Sequence, residues 1–211
     1  MYPEYRKSER IADGIVHGTG VALAIISSIL LLAFVASNLS FWHQFAVVIY
    51  CFTLVIMLCA SGIYHMTPWE SLRPMLRRID HAAIFIKIAG TFTPLVALIN
   101  SPFAYGVLIL VWGLALAGAA KDLFFWRTPG RLGPFLYLGL AWIGVALIWP
   151  IFKISPQIGW FMVAGGLTYS FGVIFYRMKN LQYLRAIWHG FVVFASGLFF
   201  AAVVTCATLM T

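Results

Sequence analysis

Residues 14–36 have the sequence GIVHGTGVALAIISSILLLAFVA, a long run without a single charged side chain. A helix of about 20 apolar residues crosses the roughly 30 Å hydrocarbon core of a bilayer. Further stretches of similar length and composition lie at about 43–65, 80–99, 103–120, 132–150, 157–176 and 186–208. The pattern therefore predicts seven transmembrane helices, which we number as spans 1 to 7.

The composition also indicates a membrane protein. The 211 residues are 63% hydrophobic and only 9% charged, whereas about a quarter of an ordinary soluble domain is charged. A soluble domain of this length could not bury so much apolar surface. The spans leave no room for a separate soluble domain, so we expect one all-α integral membrane domain over residues 1–211. The three cysteines lie inside apolar runs at no ligand-like spacing, which argues against a disulfide framework or a zinc finger.

The basic residues predict the orientation of the chain. Of the 14 Lys and Arg residues, Lys87 lies inside span 3 and Lys153 lies in the connection between spans 5 and 6. The other twelve lie before span 1 or in alternate connections. They are Arg6, Lys7, Arg10, Arg73, Arg77, Arg78, Lys121, Arg127, Arg131, Arg177, Lys179 and Arg185. By the positive-inside rule the N-terminus is cytoplasmic and the C-terminus is outside. The net charge of +8 thus reflects topology, and we expect the lipid bilayer, not nucleic acid, as the partner.

Polar residues within the spans need a reason, because a charge at mid-helix costs at least about 2.5 kcal/mol in hydrocarbon. With the predicted orientation, spans 1, 3 and 7 enter from the cytoplasm and span 2 returns to it. The polar residues on these four spans then all lie near the cytoplasmic end. They are Asp13, His17, Ser61, His65, Asp80, His81, Lys87 and His189. Such convergence from separate parts of the chain is typical of a functional site.

Helical spacing supports the convergence. Asp13 and His17 are four residues apart and share a helix face. Asp80 and Lys87 are seven apart, again on one face, with a rise of roughly 10 Å between them. Helical side chains tilt toward the N-terminus, so we expect Lys87 to lean back toward the cytoplasmic cluster.

The residue types suggest a metal centre. Two or three neutral imidazoles with a carboxylate can bind Zn²⁺ and leave one position for water. The metal lowers the pKa of that water toward about 7 and yields a hydroxide able to attack an amide or ester. Asp80 could act as general base or orient a ligand, and Ser61 could hold the water or an oxyanion. No HxxxH or HExxH motif fixes two ligands locally.

Simpler interpretations remain for several of these residues. Asp80 could pair with Arg77 or Arg78 at the membrane surface. His81 faces roughly 100° away from Asp80 and could be an interfacial residue. The Ser61 hydroxyl could bond to the preceding helical turn, and Lys87 could reach the interface along its own stem.

Five short motifs follow one another along the chain. They are HGTG at 17–20, SGIYH at 61–65, RIDH at 78–81, GTFTP at 90–94 and IWHGF at 187–191. Together they resemble the hemolysin III proteins, the bacterial branch of the progestin and adipoQ receptor superfamily. The resemblance covers nearly the whole chain. It implies seven helices with an inward N-terminus, a multipass protein of the bacterial inner (plasma) membrane, and a zinc site near the cytoplasmic face.

The resemblance also implies a ligand set, and this chain departs from it. The family's ligands would be His65 and two histidines four residues apart in span 7, with Asp80 holding a metal-bound water. Here the first of those two positions is Arg185 and the second is His189. Arginine stays protonated and cannot be a ligand. Phe199 also stands where many hemolysin III sequences have another histidine.

The missing histidine leaves two possibilities for zinc binding. Either His17, His81 or Asp80 completes the shell, or the site has lost zinc. With Arg185 and Lys87 both directed at the cluster, which also includes Asp13, the pocket could favour an anion instead.

Three functional hypotheses follow. The first is a zinc-dependent hydrolase of a lipid amide or ester, or a regulator of membrane homeostasis, with catalytic residues Asp80 and Ser61. The second is a non-catalytic, receptor-like sensor with a degenerate metal site. The third is a pore-forming cytolysin, which the absence of a polar stripe along any span argues against.

Overall fold

Helices account for all the regular structure in the described part of the chain. A computed structural model describes residues 6–125, 133–178 and 180–211. The helices are α1 (Lys7–Asn38), α2 (Phe41–Met66), α3 (Arg73–Ile99), α4 (Pro102–Phe124), α5 (Gly133–Trp142), α6 (Val145–Ile154), α7 (Pro156–Tyr176) and α8 (Leu184–Leu209). The predicted all-α membrane fold is confirmed. Three of the basic residues behind the predicted orientation, Arg127, Arg131 and Lys179, lie outside the described residues.

Six of these helices are long and apolar enough to cross a bilayer, and the bent pair α5 and α6 makes a seventh if it crosses as one broken span. The sequence predicted one continuous helix over 132–150, but the two halves meet at a bend of 40°. At the bend, Gly144 N donates to Ala141 O and Leu147 N donates to Gly144 O, so the turn is closed by tight i to i−3 bonds. A Cβ at Gly144 would lie 3.0 Å from the carbonyl oxygen of Ala141 and 3.1 Å from the Phe92 ring of α3, so a larger residue here would force these neighbours to shift.

Helix α1 has polar residues on its buried face and large apolar residues on its exposed face, the reverse of a surface helix in a soluble protein. Its buried face includes Asp13, His17, Gly20 and Ser28, whereas large aliphatic residues such as Leu30 are exposed. This distribution is expected when the surrounding solvent is hydrocarbon, because polar groups then find partners only inside the bundle. Small residues on the inner face also let neighbouring helices approach closely.

Helix α3 is the centre of the bundle. It packs against α2, α4, α5, α6 and α8. Of the residues in its most apolar stretch 61% are buried, against 28% for α1 and 33% for α8. A side chain on α3 therefore faces protein in most directions, which makes this helix the natural carrier of interior polar groups.

The starts of α1, α3 and α8 and the end of α2 meet at one end of the bundle, which we call the site end. A side-chain bond fixes two of these starts to each other. The Glu9 carboxylate near the start of α1 accepts a hydrogen bond of 2.9 Å from the backbone N–H of Tyr183, which precedes α8. The first and last spans are thereby joined where their polar residues begin.

Helix packing predicts the effect of adding a methyl group at Gly90. A Cβ at this position would overlap the Oγ1 atom of Thr53 on α2. Gly90→Ala is therefore expected to lower the free energy of unfolding by about 1–3 kcal/mol, the usual cost of overpacking. The measurement is thermal unfolding in detergent. Gly113→Ala is the matched control, since a Cβ there meets nothing within 4 Å, and an equal loss in both variants would contradict the packing argument.

Candidate metal centre

Three imidazoles from three helices lie against one another at the site end. His17 comes from α1, His65 from α2 and His189 from α8. The ring centroids are 4.2 Å apart for His17 and His189, 4.4 Å for His65 and His189, and 5.4 Å for His17 and His65. One candidate ligand atom from each residue lies within 4.8 Å of the other two. His17 and His189 are buried, and His65 is largely buried.

Close packing of α1 on α8 allows two of the rings to meet. Gly20 lies one turn after His17, and a Cβ at Gly20 would lie 2.7 Å from the side chain of Val193. Val193 in turn lies one turn after His189. The missing side chain at Gly20 lets the two helix backbones approach, and this approach brings the imidazoles into contact.

Asp13 connects two of the three imidazoles. Its Oδ1 atom is 2.6 Å from His189 Nδ1, and the same atom is 3.7 Å from His17 Nε2. His17 is four residues further along α1, so the predicted shared face is the one that turns inward. The bond from Asp13 holds the His189 ring in place and leaves its Nε2 atom to face a ligand. A carboxylate behind an imidazole in this way is a common support of protein metal sites.

Asp80 approaches the cluster from α3. Its Oδ2 atom is 3.8 Å from His65 Nε2. The Ser61 hydroxyl lies close enough to the same carboxylate to donate a hydrogen bond. Ser61 and His65 are four residues apart on α2, so one helix face supplies both contacts. Asp80 is buried, which places a carboxylate beside the imidazoles and away from lipid.

The residues fit a bound metal ion. Three imidazoles with further carboxylates nearby are a donor set that zinc accepts, with a fourth position open. The Nε2 atom of buried His17 has no hydrogen-bond partner among the described residues. A buried polar atom without a partner is costly, and a metal ion at this position would satisfy it.

Arg185 lies at the rim of this centre. It stands in the first turn of α8 and lines a small cavity that also touches Asp13, His65 and Arg10. The cavity measures about 10 Å³, space for about one water molecule. The arginine is close enough to act electrostatically on both His17 and His65. The chain therefore has a fixed cation beside the imidazoles.

Two predicted members of the cluster lie elsewhere. His81 faces the opposite side of α3, where its Nδ1 atom is 3.0 Å from the hydroxyl of Tyr137. Lys87 does not turn back toward the imidazoles. Its Nζ atom donates to the Tyr169 hydroxyl on α7 at 3.2 Å, two helical turns deeper than Asp80.

A third buried carboxylate, besides Asp13 and Asp80, was not expected from the sequence. Asp122 near the end of α4 is buried and accepts a hydrogen bond of 3.3 Å from Tyr137. The Lys121 ammonium lies 3.5 Å from it. An adjacent Lys–Asp pair at the end of a span looks like an interfacial pair, so no pattern in the sequence distinguishes this aspartate.

The comparisons with known proteins agree with this architecture. The family model described as "Haemolysin-III related" matches residues 5–200. "Hemolysin-3 homolog" of Bacillus subtilis (strain 168) is 33% identical over 201 residues, which cover 94% of this chain and 94% of the relative. "Hemolysin-3" of Bacillus cereus is 29% identical and covers 92% and 90%. "Monocyte to macrophage differentiation factor" of Homo sapiens is 24% identical and covers 92% and 83%.

The short bond between Asp13 and His189 predicts a measurable coupling. A double-mutant cycle of Asp13→Asn and His189→Gln is expected to give an interaction free energy of about 0.5–3 kcal/mol, because the two side chains are in direct buried contact. Unfolding in detergent measures it. Asp13→Asn combined with His81→Gln is the control and should give additive losses, since His81 faces Tyr137. Additivity in both cycles would contradict the site geometry.

Proposed function

The chain belongs to the family of haemolysin-III related proteins, and we propose that it is a zinc-dependent hydrolase of a lipid amide or ester in the bacterial inner membrane. The observation that carries the proposal is the group of three imidazoles whose ligand atoms lie within 4.8 Å of one another. The proposed location of the protein in the inner membrane is supported by the bacterial relatives and by the basic residues of the alternate connections.

His17, His65 and His189 are the proposed ligands. His17 then completes the shell where the family pattern has a histidine at the position of Arg185. Among the candidates named from the sequence, His17 is favoured over His81 by position, because His81 bonds to Tyr137 on the far side of α3. Three histidines with one open position are the ligand set of several catalytic zinc sites.

The surrounding residues support hydrolysis. When bound, zinc supplies Lewis acidity and lowers the pKa of a coordinated water. Asp80 can act as general base on a metal-bound water. Its carboxylate lies 3.8 Å from His65, one of the proposed ligands, and is therefore near the position of that water. The Ser61 hydroxyl lies close enough to Asp80 to support its carboxylate. Asp13 fixes the His189 ring, and its charge favours the tautomer with the proton on Nδ1.

The position of the centre supports a lipid substrate. It lies at the end of the bundle where α1, α2, α3 and α8 meet, and large apolar side chains cover much of the lipid-facing surface of these helices. The amide or ester bonds of membrane lipids lie at the boundary between headgroups and hydrocarbon. A reactive group a few turns inside the helix ends stands near that boundary.

A second candidate, a receptor-like sensor without catalysis, is favoured by Arg185. A fixed cation that lines the same cavity as His65 opposes metal binding and is suited to holding an anionic group. In this version the cluster responds to a ligand but does not turn it over.

Metal content tests the centre. Protein purified without chelator is expected to contain about one zinc per chain, and His17→Ala, His65→Ala or His189→Ala is expected to reduce it at least about tenfold through loss of a ligand. Elemental analysis makes the measurement. His43→Ala and His81→Ala complete the set of five histidines as controls and should keep the metal. Metal-free wild type would end the hydrolase proposal.

Asp80→Asn separates the two candidates. The amide keeps the size of the side chain but cannot take up a proton, so turnover of a lipid amide or ester is expected to fall at least about a hundredfold. Zinc content should change little, because the three histidines remain. The assay measures the fatty acid that purified protein, reconstituted in lipid vesicles, releases from a lipid amide or ester. Unchanged turnover would exclude Asp80 as base, and absence of turnover in zinc-loaded wild type would favour the sensor.

A further inference from the structure

A lysine lies in the interior of the bundle, away from the metal centre. Lys87 occupies the middle of α3 and is only 3% exposed. Within the described residues its ammonium has one hydrogen-bond partner, the Tyr169 hydroxyl, and no carboxylate lies within 4 Å. Ammonium groups have three donors. An ionisable residue at this depth marks a functional site by default, since hydrocarbon gives it no compensation.

A chain of hydroxyl groups begins at this ammonium. Tyr169 and Ser196 share a hydrogen bond of 2.9 Å between their side-chain oxygens. Tyr50 of α2 is 0% exposed, and its hydroxyl has no hydrogen-bond partner among the described residues. The Tyr50 and Tyr169 phenols are close enough to interact electrostatically. Hydrogen-bonding groups of α3, α7 and α8 therefore meet in one region, and the Tyr50 phenol of α2 lies near Tyr169.

This polar layer stands directly below the metal centre. Lys87 is seven residues after Asp80 on α3, and Ser196 is seven residues after His189 on α8. Seven residues are close to two turns, so each pair shares a face, with a separation of roughly 10 Å. The interior thus has an upper layer of imidazoles and carboxylates and a lower layer of ammonium and hydroxyl groups.

Aromatic rings account for part of the stabilisation of the cation. The Lys87 Nζ atom lies 5.0 Å from the ring centroids of both Tyr169 and Phe199. Such contacts stabilise a desolvated cation in part. The cost of placing an unpaired ammonium in a low-dielectric interior is larger. The aromatic faces alone therefore do not offset the burial of the charge.

A bound anion would balance the charge of this layer and accept its remaining hydrogen bonds. The layer has an ammonium and three hydroxyls, all able to donate, and the described residues place no carboxylate in it. We propose that Lys87, Tyr50, Tyr169 and Ser196 form a binding site for one monovalent anion. The same chemistry fits a halide ion or the carboxylate of a fatty acid. The proposal is independent of zinc in the upper layer.

Anion-dependent stability tests the site. The thermal unfolding midpoint of the purified protein in detergent is measured at constant ionic strength while sodium chloride replaces sodium gluconate. A second arm adds sodium decanoate, with decanol as its uncharged counterpart. A ligand that binds only the folded protein raises the midpoint with a saturable dose dependence. Saturation with chloride identifies a halide, and saturation with decanoate but not decanol identifies a carboxylate. Both results support the proposal.

The variants assign the effect to the lower layer. Lys87→Met keeps an unbranched side chain without charge and is expected to lose the saturable response. Tyr50→Phe removes one hydroxyl and no existing bond, so it should fold as well as the wild type and raise the half-saturating concentration at least about threefold. Tyr50→Phe carries the test if Lys87→Met does not fold.

Two control variants test whether the response to anions arises outside the lower layer. Lys153→Met removes an ammonium 5.1 Å from the Trp149 ring, but Lys153 is exposed on α6, so this variant should respond as the wild type does. His65→Ala disrupts the upper layer and should also keep the response. Equal responses of the wild type, Lys87→Met and Tyr50→Phe would overturn the anion site, as would loss of the response in His65→Ala.

Discussion

Polar groups inside a bilayer must be satisfied by the protein itself, and this constraint governs the arrangement of the whole bundle. Asp13 is the clearest example. Its carboxylate lies on the first span, where lipid offers no hydrogen bonds, and it meets His189 of the last span at 2.6 Å. Burial of either group alone would be costly, and together they hold α1 against α8. The inward polar face of α1 and the central position of α3 follow from the same requirement.

The cluster of His17, His65 and His189 depends on this arrangement. Apolar contact between helices contributes little in lipid, so close packing at small residues and a few polar bonds determine which helices meet. Gly20 lets α1 approach α8, and Asp80 is presented by the most buried helix of the bundle. The imidazoles are therefore held by neighbours that also fix the fold. Arg185 and Arg10 add fixed cations to the cavity beside them.

Much of the fold could be predicted from the sequence, because the spans are long and their apolar character is strong. Convergence of polar residues from spans 1, 2, 3 and 7 at one depth also follows from the alternating basic connections. Rotation of each helix about its own axis could not be predicted. Asp80 and His81 are adjacent, yet one meets His65 and the other meets Tyr137.

The remaining differences have the same physical origin. Lys87 was expected to lean back along its helix, but the hydroxyl that receives it belongs to α7, which no pattern in the sequence relates to α3. The bend at Gly144 lies against the ring of Phe92 from another helix. Such features are set by contacts between distant parts of the chain, whereas periodicity describes one segment at a time.

The bond between Asp13 and His189 joins residues 176 positions apart. During synthesis, α1 enters the membrane before α8 has been made. The Asp13 carboxylate therefore has no His189 to bond with while the intervening spans are inserted. The centre is complete only when the last span docks. A chain that stops before α8 would lack His189 and therefore this centre, so the site can form only after α1, α2, α3 and α8 have all been synthesised.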